Sequence, residues 1–313
     1  MARLQNRDLV IHYESAGQGE AVVLIHGLGA NLAFWFMTIG RHLAQQYRVI
    51  TYDLRGHGAS SITPRGYMLP NMVEDLVQLL DHLGVQRAHI VGHSFGARVA
   101  LAFTILQPQR VMSLTIADTQ LRCLQPPMQL REWQHWPRWK AELEAQGHAG
   151  LPADHEVITF ELLANFNQLT PSFAHGGLAP GRRAARKRAA PSLRRRDMGK
   201  RGSARWQRLL STTNAREEFS DESPLSNEAI AAIRSPTLAV FGELSHCMPS
   251  CLQLQRLIPG CEVEIVQGAG HFHPAVKPRR FTFLLEKFLG RQSPESRERL
   301  TPDGRLRAHL RHI

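Results

Sequence analysis

The chain has 313 residues, an apolar fraction of 43% and a formal net charge of +11, which is length enough for one large core with an inserted lobe. No run of 18 apolar residues occurs and Met1 to Asp8 has no hydrophobic signal core, so neither a membrane span nor a secretory leader is expected and a soluble cytoplasmic protein is predicted. Four cysteines make no disulfide scaffold at this length, and the charge is local: Gly181 to Arg208 holds twelve Lys or Arg against one acid, Asp197, while the remainder balances at 26 basic and 26 acidic residues.

Leu9 to Tyr13 alternates enough to predict an edge strand, turned back at Gly17-Gln18-Gly19. Ala21 to Ile25 is a continuous apolar run that fits a strand covered on both faces, and it stops at His26-Gly27-Leu28-Gly29. Val49 to Tyr52 predicts a further buried strand, ended by Asp53-Leu54-Arg55-Gly56-His57-Gly58. A helix follows from Asn71 to Leu83, its apolar face set by Met72, Val73, Leu76, Leu79, Leu80 and Leu83. Next come a strand at Ala88 to Val91, the stretch Gly92-His93-Ser94-Phe95-Gly96, and a largely buried helix from Ala97 to Leu106. The strand Ser113 to Ala117 then delivers Asp118 at its C-terminal end. From Leu121 to about Phe219 the alternation stops, and Trp133, Trp136, Trp139 and Trp206 collect among expected helices. Strands at Thr237 to Phe241 and Glu262 to Val266 resume the sheet, Gly268-Ala269-Gly270-His271 follows, and a closing helix is predicted from Pro278 to Leu289. The fold class is therefore α/β, a mostly parallel sheet with helices on both faces and a mainly helical cap insertion. The predicted divisions are residues 1–120 and 220–290 for the core, 121–219 for the insertion with its basic segment at 181–208, and 291–313 for a loose tail.

A serine between glycines, with a strand before it and a helix after it, is the context of a nucleophile elbow. The glycines let strand and helix close up, so the Ser94 hydroxyl and the Phe95 amide aim at one point. The glycine pair after the first buried strand turns the Leu28 amide toward the same point, which makes an oxyanion hole.

Four motifs in this order, His26-Gly27-Leu28-Gly29, Asp53-Leu54-Arg55-Gly56-His57-Gly58, the elbow around Ser94 and Gly270-His271 after the last strand, resemble the α/β-hydrolase superfamily over roughly residues 8–120 and 220–290. The resemblance implies Ser94 as nucleophile, His271 as general base, and Leu28 and Phe95 as oxyanion donors. It also implies a cofactor-free serine hydrolase cleaving an ester, lactone or thioester through an acyl-enzyme. Enzymes that hydrolyse carbon–carbon bonds of ring-fission products share this scaffold and form the alternative. The departure is the acid. Relatives of this type carry an aspartate just past the strand ending at Phe241, and this chain reads Gly242-Glu243-Leu244-Ser245. Asp118 ends the preceding strand on the same rim and is the first reading; Glu243 is the alternative, and loss of the acid is the third, which leaves room for a weakly catalytic binding or accessory protein.

His26 and His93 are expected to pack beneath the site, and Asp53, Arg55 and His57 to fix a loop. His273 is expected either to line the pocket or to face solvent, and Trp35 to line the pocket or join the core. Cys247, Cys251 and Cys261 beside His246 match no zinc spacing, so no metal is expected. The lobe lies where the superfamily inserts its cap, and its tryptophans and leucines predict an apolar roof over a small-molecule substrate with an apolar acyl part. The basic segment, without interleaved aromatics, predicts a solvated arm open to an acidic partner and no specific nucleic-acid site.

Overall fold

The structure, a computed structural model, describes residues 2–6, 9–145, 147, 150–159, 162 and 193–292, the side chains of 193–201 and 203 excepted. Eight strands, β1 (Ala2–Asn6), β2 (Leu9–Ala16), β3 (Ala21–Ile25), β4 (Arg48–Tyr52), β5 (Ala88–His93), β6 (Val111–Ala117), β7 (Thr237–Gly242) and β8 (Glu262–Val266), form one sheet. Their order is β1-β2-β4-β3-β5-β6-β7-β8. The first two pairings are antiparallel and the others parallel.

Leu9 does not begin the edge strand that its alternation suggests. Ala2–Asn6 pairs outside it, with Ala2 opposite Tyr13 and Asn6 opposite Leu9. That outer strand is mostly exposed, so main-chain pairing rather than apolar patterning sets it, and a hydrophobic reading had no signal to find.

Two-residue periodicity divides the core. In β3, Val23 and Ile25 join one apolar cluster and Val22 and Leu24 the other; in β7, Ala239 and Phe241 separate from Leu238 and Val240 in the same way. The first face is covered by helices α1 (Leu69–His82) and α2 (Phe95–Leu106), which contribute Met72, Leu76, Val99 and Phe103. The second takes Trp35 and Ile39, and Phe281, Leu285 and Phe288 from the closing helix, Pro278–Gly290. Trp35 is thus fully buried core and not a pocket wall.

The described part of the connection between β6 and β7 is largely helical. Helix α3 (Trp136–Ala145) gathers Trp133, Trp136, Trp139, Leu143, Leu130 and Ile158 into a separate small core. Helix α4 (Leu193–Thr212) contains residues 193–208 of the basic segment, so that its backbone there is helical. Trp206, Leu209 and Leu210 recur at helical spacing at its C-terminal end and pack on the main core, which gives this part of the segment an anchor. Residues 181–192 of that segment, and 293–313 of the expected tail, lie outside the described residues.

Candidate active site

Strand β5 runs into α2 through Ser94, whose backbone sits at φ 57° and ψ −123°. A non-glycine residue reaches that region only where the surroundings enforce it. They do so by contact: a Cβ on Gly92 would come within 2.2 Å of the Gly96 carbonyl oxygen, and one on Gly96 within 2.3 Å of the Ile25 carbonyl oxygen. The turn is locked from beside it as well, because the Ser94 amide donates to Ala117 at 3.0 Å.

His271 follows β8 and bridges the elbow to the end of β6. Its Nδ1 lies 2.8 Å from Asp118 Oδ1, and its Nε2 lies 3.0 Å from Ser94 Oγ. With Nδ1–H donated to the carboxylate, Nε2 is left to accept the serine proton. Asp118 is fully buried and holds φ 49°. Besides the His271 ring it accepts two further hydrogen bonds, from the Gly242 amide at 2.8 Å on Oδ2 and from the Ser245 hydroxyl at 2.5 Å on Oδ1. Burial alone would raise its pKa, yet the hydrogen bond and charge of His271, the charge of His273 and the Gly242 amide together hold it well below the usual carboxylate range.

Ser245, in the position where the pattern expects an acid, therefore hydrogen-bonds to the carboxylate that sits against the histidine. Its oxygen also accepts the Cys247 amide at 3.1 Å. Glu243 is exposed and turned away, its carboxylate accepting the Gly268 amide at 2.7 Å.

The other sequence-predicted residues fall into place around this chain of contacts. Leu28 and Phe95 line the same cavity as Ser94. Phe95 opens α2, where the first amides have no partner one turn back and the helix end carries partial positive charge. A Cβ on Gly27 would lie 3.0 Å from Ser94 Cβ, so the loop bearing Leu28 is seated against the elbow. His26 is buried, its Nδ1 donating to Gly27 at 2.8 Å and its Nε2 accepting the Leu54 amide at 3.1 Å; burial lowers its pKa and keeps the ring neutral. Asp53 accepts the amides of Leu32 and Ala59, Arg55 pairs with Asp75 at 2.5 Å, and the His57 Nδ1 donates to Arg55 at 3.0 Å, so this motif ties its loops together. His93 stands behind His271 and donates from Nε2 to its carbonyl at 2.9 Å.

His273 neither lines the pocket nor faces solvent. It is fully buried, donates from Nε2 to Val240 at 3.0 Å, and stands 3.9 Å from Asp118 Oδ2. Its position at the start of a turn after the last strand gave no sequence sign of that burial, which the closing helix imposes. The spacing of Cys247 matches no zinc pattern, yet its Sγ lies 3.4 Å from His246 Nε2 and 3.8 Å from His271 Nδ1. Among the described residues these three offer ligand atoms within 4.8 Å of one another. A metal there would have to take His271 Nδ1 from Asp118.

The cavity above Ser94 has a volume of about 290 Å³ and is closed on one side by Trp206 and Leu210 of α4 and by Phe219. Trp206 and Phe219 stack at 6.1 Å, and Phe95 meets Phe219 edge-on at 5.1 Å. A larger cavity of about 500 Å³ lies between Arg87, Val111 and Pro236 at the N-terminal ends of the strands. It holds none of the groups above, and ligands of open parallel sheets bind at the opposite, C-terminal ends.

The family model for the alpha/beta hydrolase fold matches residues 20–278. A putative carbamate hydrolase RutD of Variovorax paradoxus is 42% identical over 111 residues, 34% of this chain and 42% of that protein. A 2-hydroxy-6-oxo-6-phenylhexa-2,4-dienoate hydrolase of Comamonas testosteroni is 38% identical over 120 residues, 35% of this chain and 41% of that protein. The chain thus spans about two fifths of the length of either curated relative. Among solved structures, a bacterial membrane phospholipase A superposes with a TM-score of 0.69 at 21% identity, covering 93% of this chain and 86% of that one. Among the described residues no helix is long and apolar enough to cross a membrane.

Proposed function

The chain belongs to the α/β-hydrolase fold family, and from that premise we propose that it is a serine hydrolase that cleaves an ester, lactone or thioester through an acyl-enzyme. One observation carries the reading: the unbroken contact chain from Ser94 Oγ through His271 to Asp118, at 3.0 and 2.8 Å. Ser94 attacks the substrate carbonyl as His271 Nε2 takes its proton, and the buried Asp118 carboxylate stabilises the imidazolium that forms. The developing oxyanion accepts from the Leu28 and Phe95 amides. His271 returns the proton to the leaving alcohol or thiol, and the acyl group stays on Ser94. Water, deprotonated by the same ring, then releases the acid.

Carbon–carbon bond hydrolysis is the second reading, supported by the likeness to the Comamonas testosteroni hydrolase; it needs the same serine. The accessory reading drew its support from the serine at position 245, and Asp118 within 2.8 Å of His271 withdraws that support. Labelling by a fluorophosphonate probe is the test. The parent protein should label, and Ser94→Ala should neither label nor turn over acyl esters while unfolding near the parent temperature. Turnover retained in that variant would remove Ser94 from the role.

A further inference from the structure

His246 and Cys247 stand in the loop that leaves β7, and His271 in the turn that leaves β8; the two strands are parallel neighbours, so both connections open at one rim of the sheet. Three donor atoms meet there. Cys247 Sγ lies 3.4 Å from His246 Nε2 and 3.8 Å from His271 Nδ1, and all three atoms lie within 4.8 Å of one another. A zinc ion holds sulfur at about 2.3 Å and imidazole nitrogen at about 2.0–2.1 Å, so the sulfur–nitrogen edge of its tetrahedron is about 3.6 Å. The two observed edges fall on either side of that length. Asp118 Oδ1, 2.8 Å from the same His271 nitrogen, supplies a fourth donor once that pair opens to about 3.4 Å.

Cys247 is 1% exposed and His246 5% exposed. Burial and the Asp118 charge push the Cys247 thiol well above its ordinary pKa, so the sulfur is a poor nucleophile at neutral pH. A cation changes that balance, because it takes the place of the proton and holds the thiolate outright. The thiolate and the Asp118 carboxylate together cancel the charge of a divalent ion, which avoids an uncompensated buried charge. One thiolate and two imidazoles select zinc over magnesium or calcium, whose ligands are oxygens. The His271 side chain, 10% exposed, is the accessible edge of the group.

We propose that His246, Cys247 and His271, with Asp118, form an inhibitory zinc site. Binding releases the Cys247 thiol proton to solvent. As the cation takes His271 Nδ1, the ring proton passes to Nε2, so the ring stays neutral and one proton is released per ion. Nε2, 3.0 Å from Ser94 Oγ, then carries a hydrogen and cannot accept the serine proton. The site itself stands on the donor geometry, and its inhibitory effect rests on the serine-hydrolase reading. The cation lies on the Nδ1 side of the ring, away from Ser94, and the cavity over the serine stays open to substrate.

Cobalt, which takes zinc sites and absorbs light there, is the probe of binding. Titrated into the reduced full chain, it should give a thiolate-to-cobalt charge-transfer band and the visible bands of four-coordinate cobalt, both lost on adding an equivalent of zinc. Cys247→Ala should abolish the charge-transfer band. His246→Gln should weaken binding by about tenfold or more, since even an outer partner of a metal ligand is worth that much. No band in the parent, or a band that survives in Cys247→Ala, overturns the site. Zinc should lower the parent's kcat on p-nitrophenyl acetate by about tenfold or more and leave KM within about twofold; magnesium should not, and a chelator should restore turnover. Without zinc each variant should turn the ester over as the parent does, and with zinc each should resist. Equal inhibition of parent and variants, or cobalt bound with turnover undiminished, overturns the coordination of His271. If no ester is cleaved, the hydrolase reading fails by itself and the cobalt spectra still decide the site. Should one variant fail to fold, the other decides.

Discussion

On the proposed serine-hydrolase reading, Asp118 and Ser245 divide between them what the sequence pattern assigns to one position. A carboxylate beside a catalytic histidine fixes its tautomer and stabilises its cation; the amide substitution in the chymotrypsin-type triad, a known case, costs on the order of 10⁴ in turnover. Asp118→Asn is expected to lose a factor of that order on any ester the parent cleaves. Glu243→Gln should stay within about twofold, since its carboxylate is occupied at the Gly268 amide. Ser245→Ala removes a donor from a buried carboxylate, and the loss of a charge-assisted hydrogen bond is about 1.5–3 kcal/mol. Part of that should appear as a fall in kcat of about tenfold with KM little changed, measured by steady-state kinetics. Unchanged kcat in Ser245→Ala would mean that Gly242 and His271 hold Asp118 without help. At this scale the placing of Ser94 and of His271 is legible in the sequence, because their motifs are local. The acid was left open, because which carboxylate meets His271 depends on the ends of β6 and β7 lying side by side, a fact of pairing and not of spacing.

At the scale of elements, the elbow is a contact between three backbones, and its glycines are the residues that permit it. A methyl group on Gly96 would be driven into the carbonyls of Ile25 and His26, at the end of β3, at 2.3 and 2.6 Å, and a backbone carbonyl cannot rotate aside as a side chain would. Gly96→Ala should destabilise by about 3 kcal/mol, at the upper end of overpacking costs, and should lose activity by moving Ser94 and the Phe95 amide apart. Chemical denaturation with parallel ester assays would check both. A variant that kept parental stability would show that the strand-to-helix junction is looser than its contacts indicate. Helix α4 shows the opposite relation of element to sequence. Its arginine-rich composition predicts a solvated arm, yet Trp206, Leu209 and Leu210 form one apolar stripe that seats its C-terminal end.

For the whole molecule, the packing of the sheet between two helical layers encloses an unusual set of imidazoles. Burial presses His57, His93 and His246 down to about 3 and His273 to about 4, with neighbouring histidine charges adding to the effect. These folded values lie below the 6.5 of a free imidazole. Between about pH 4 and 6.5 the unfolded chain therefore binds protons that the folded chain does not, so the free energy of unfolding rises with pH across that window and levels off above it. Thermal unfolding should show a midpoint nearly constant from pH 7 to 8 and falling steadily from pH 6.5 to 4.5. His93→Asn, which keeps a donor for the His271 carbonyl, should make that fall shallower. A midpoint independent of pH over the window would mean that these rings are protonated in the folded protein.

By itself the sequence determined the α/β architecture, the strand-turn-helix around Ser94, and the place of His271 after the last strand. Each follows from apolar periodicity and glycine placement within a few residues, the range over which backbone geometry is set locally. Only the tertiary structure decided that Asp118 meets His271, that Ser245 supports it, that His273 is sealed beneath them, and that Cys247 and His246 stand against the His271 ring. Asp118 and His271 alone are separated by 153 positions in the chain, and nothing in local sequence encodes which such residues share a few ångströms once the strands have been ordered.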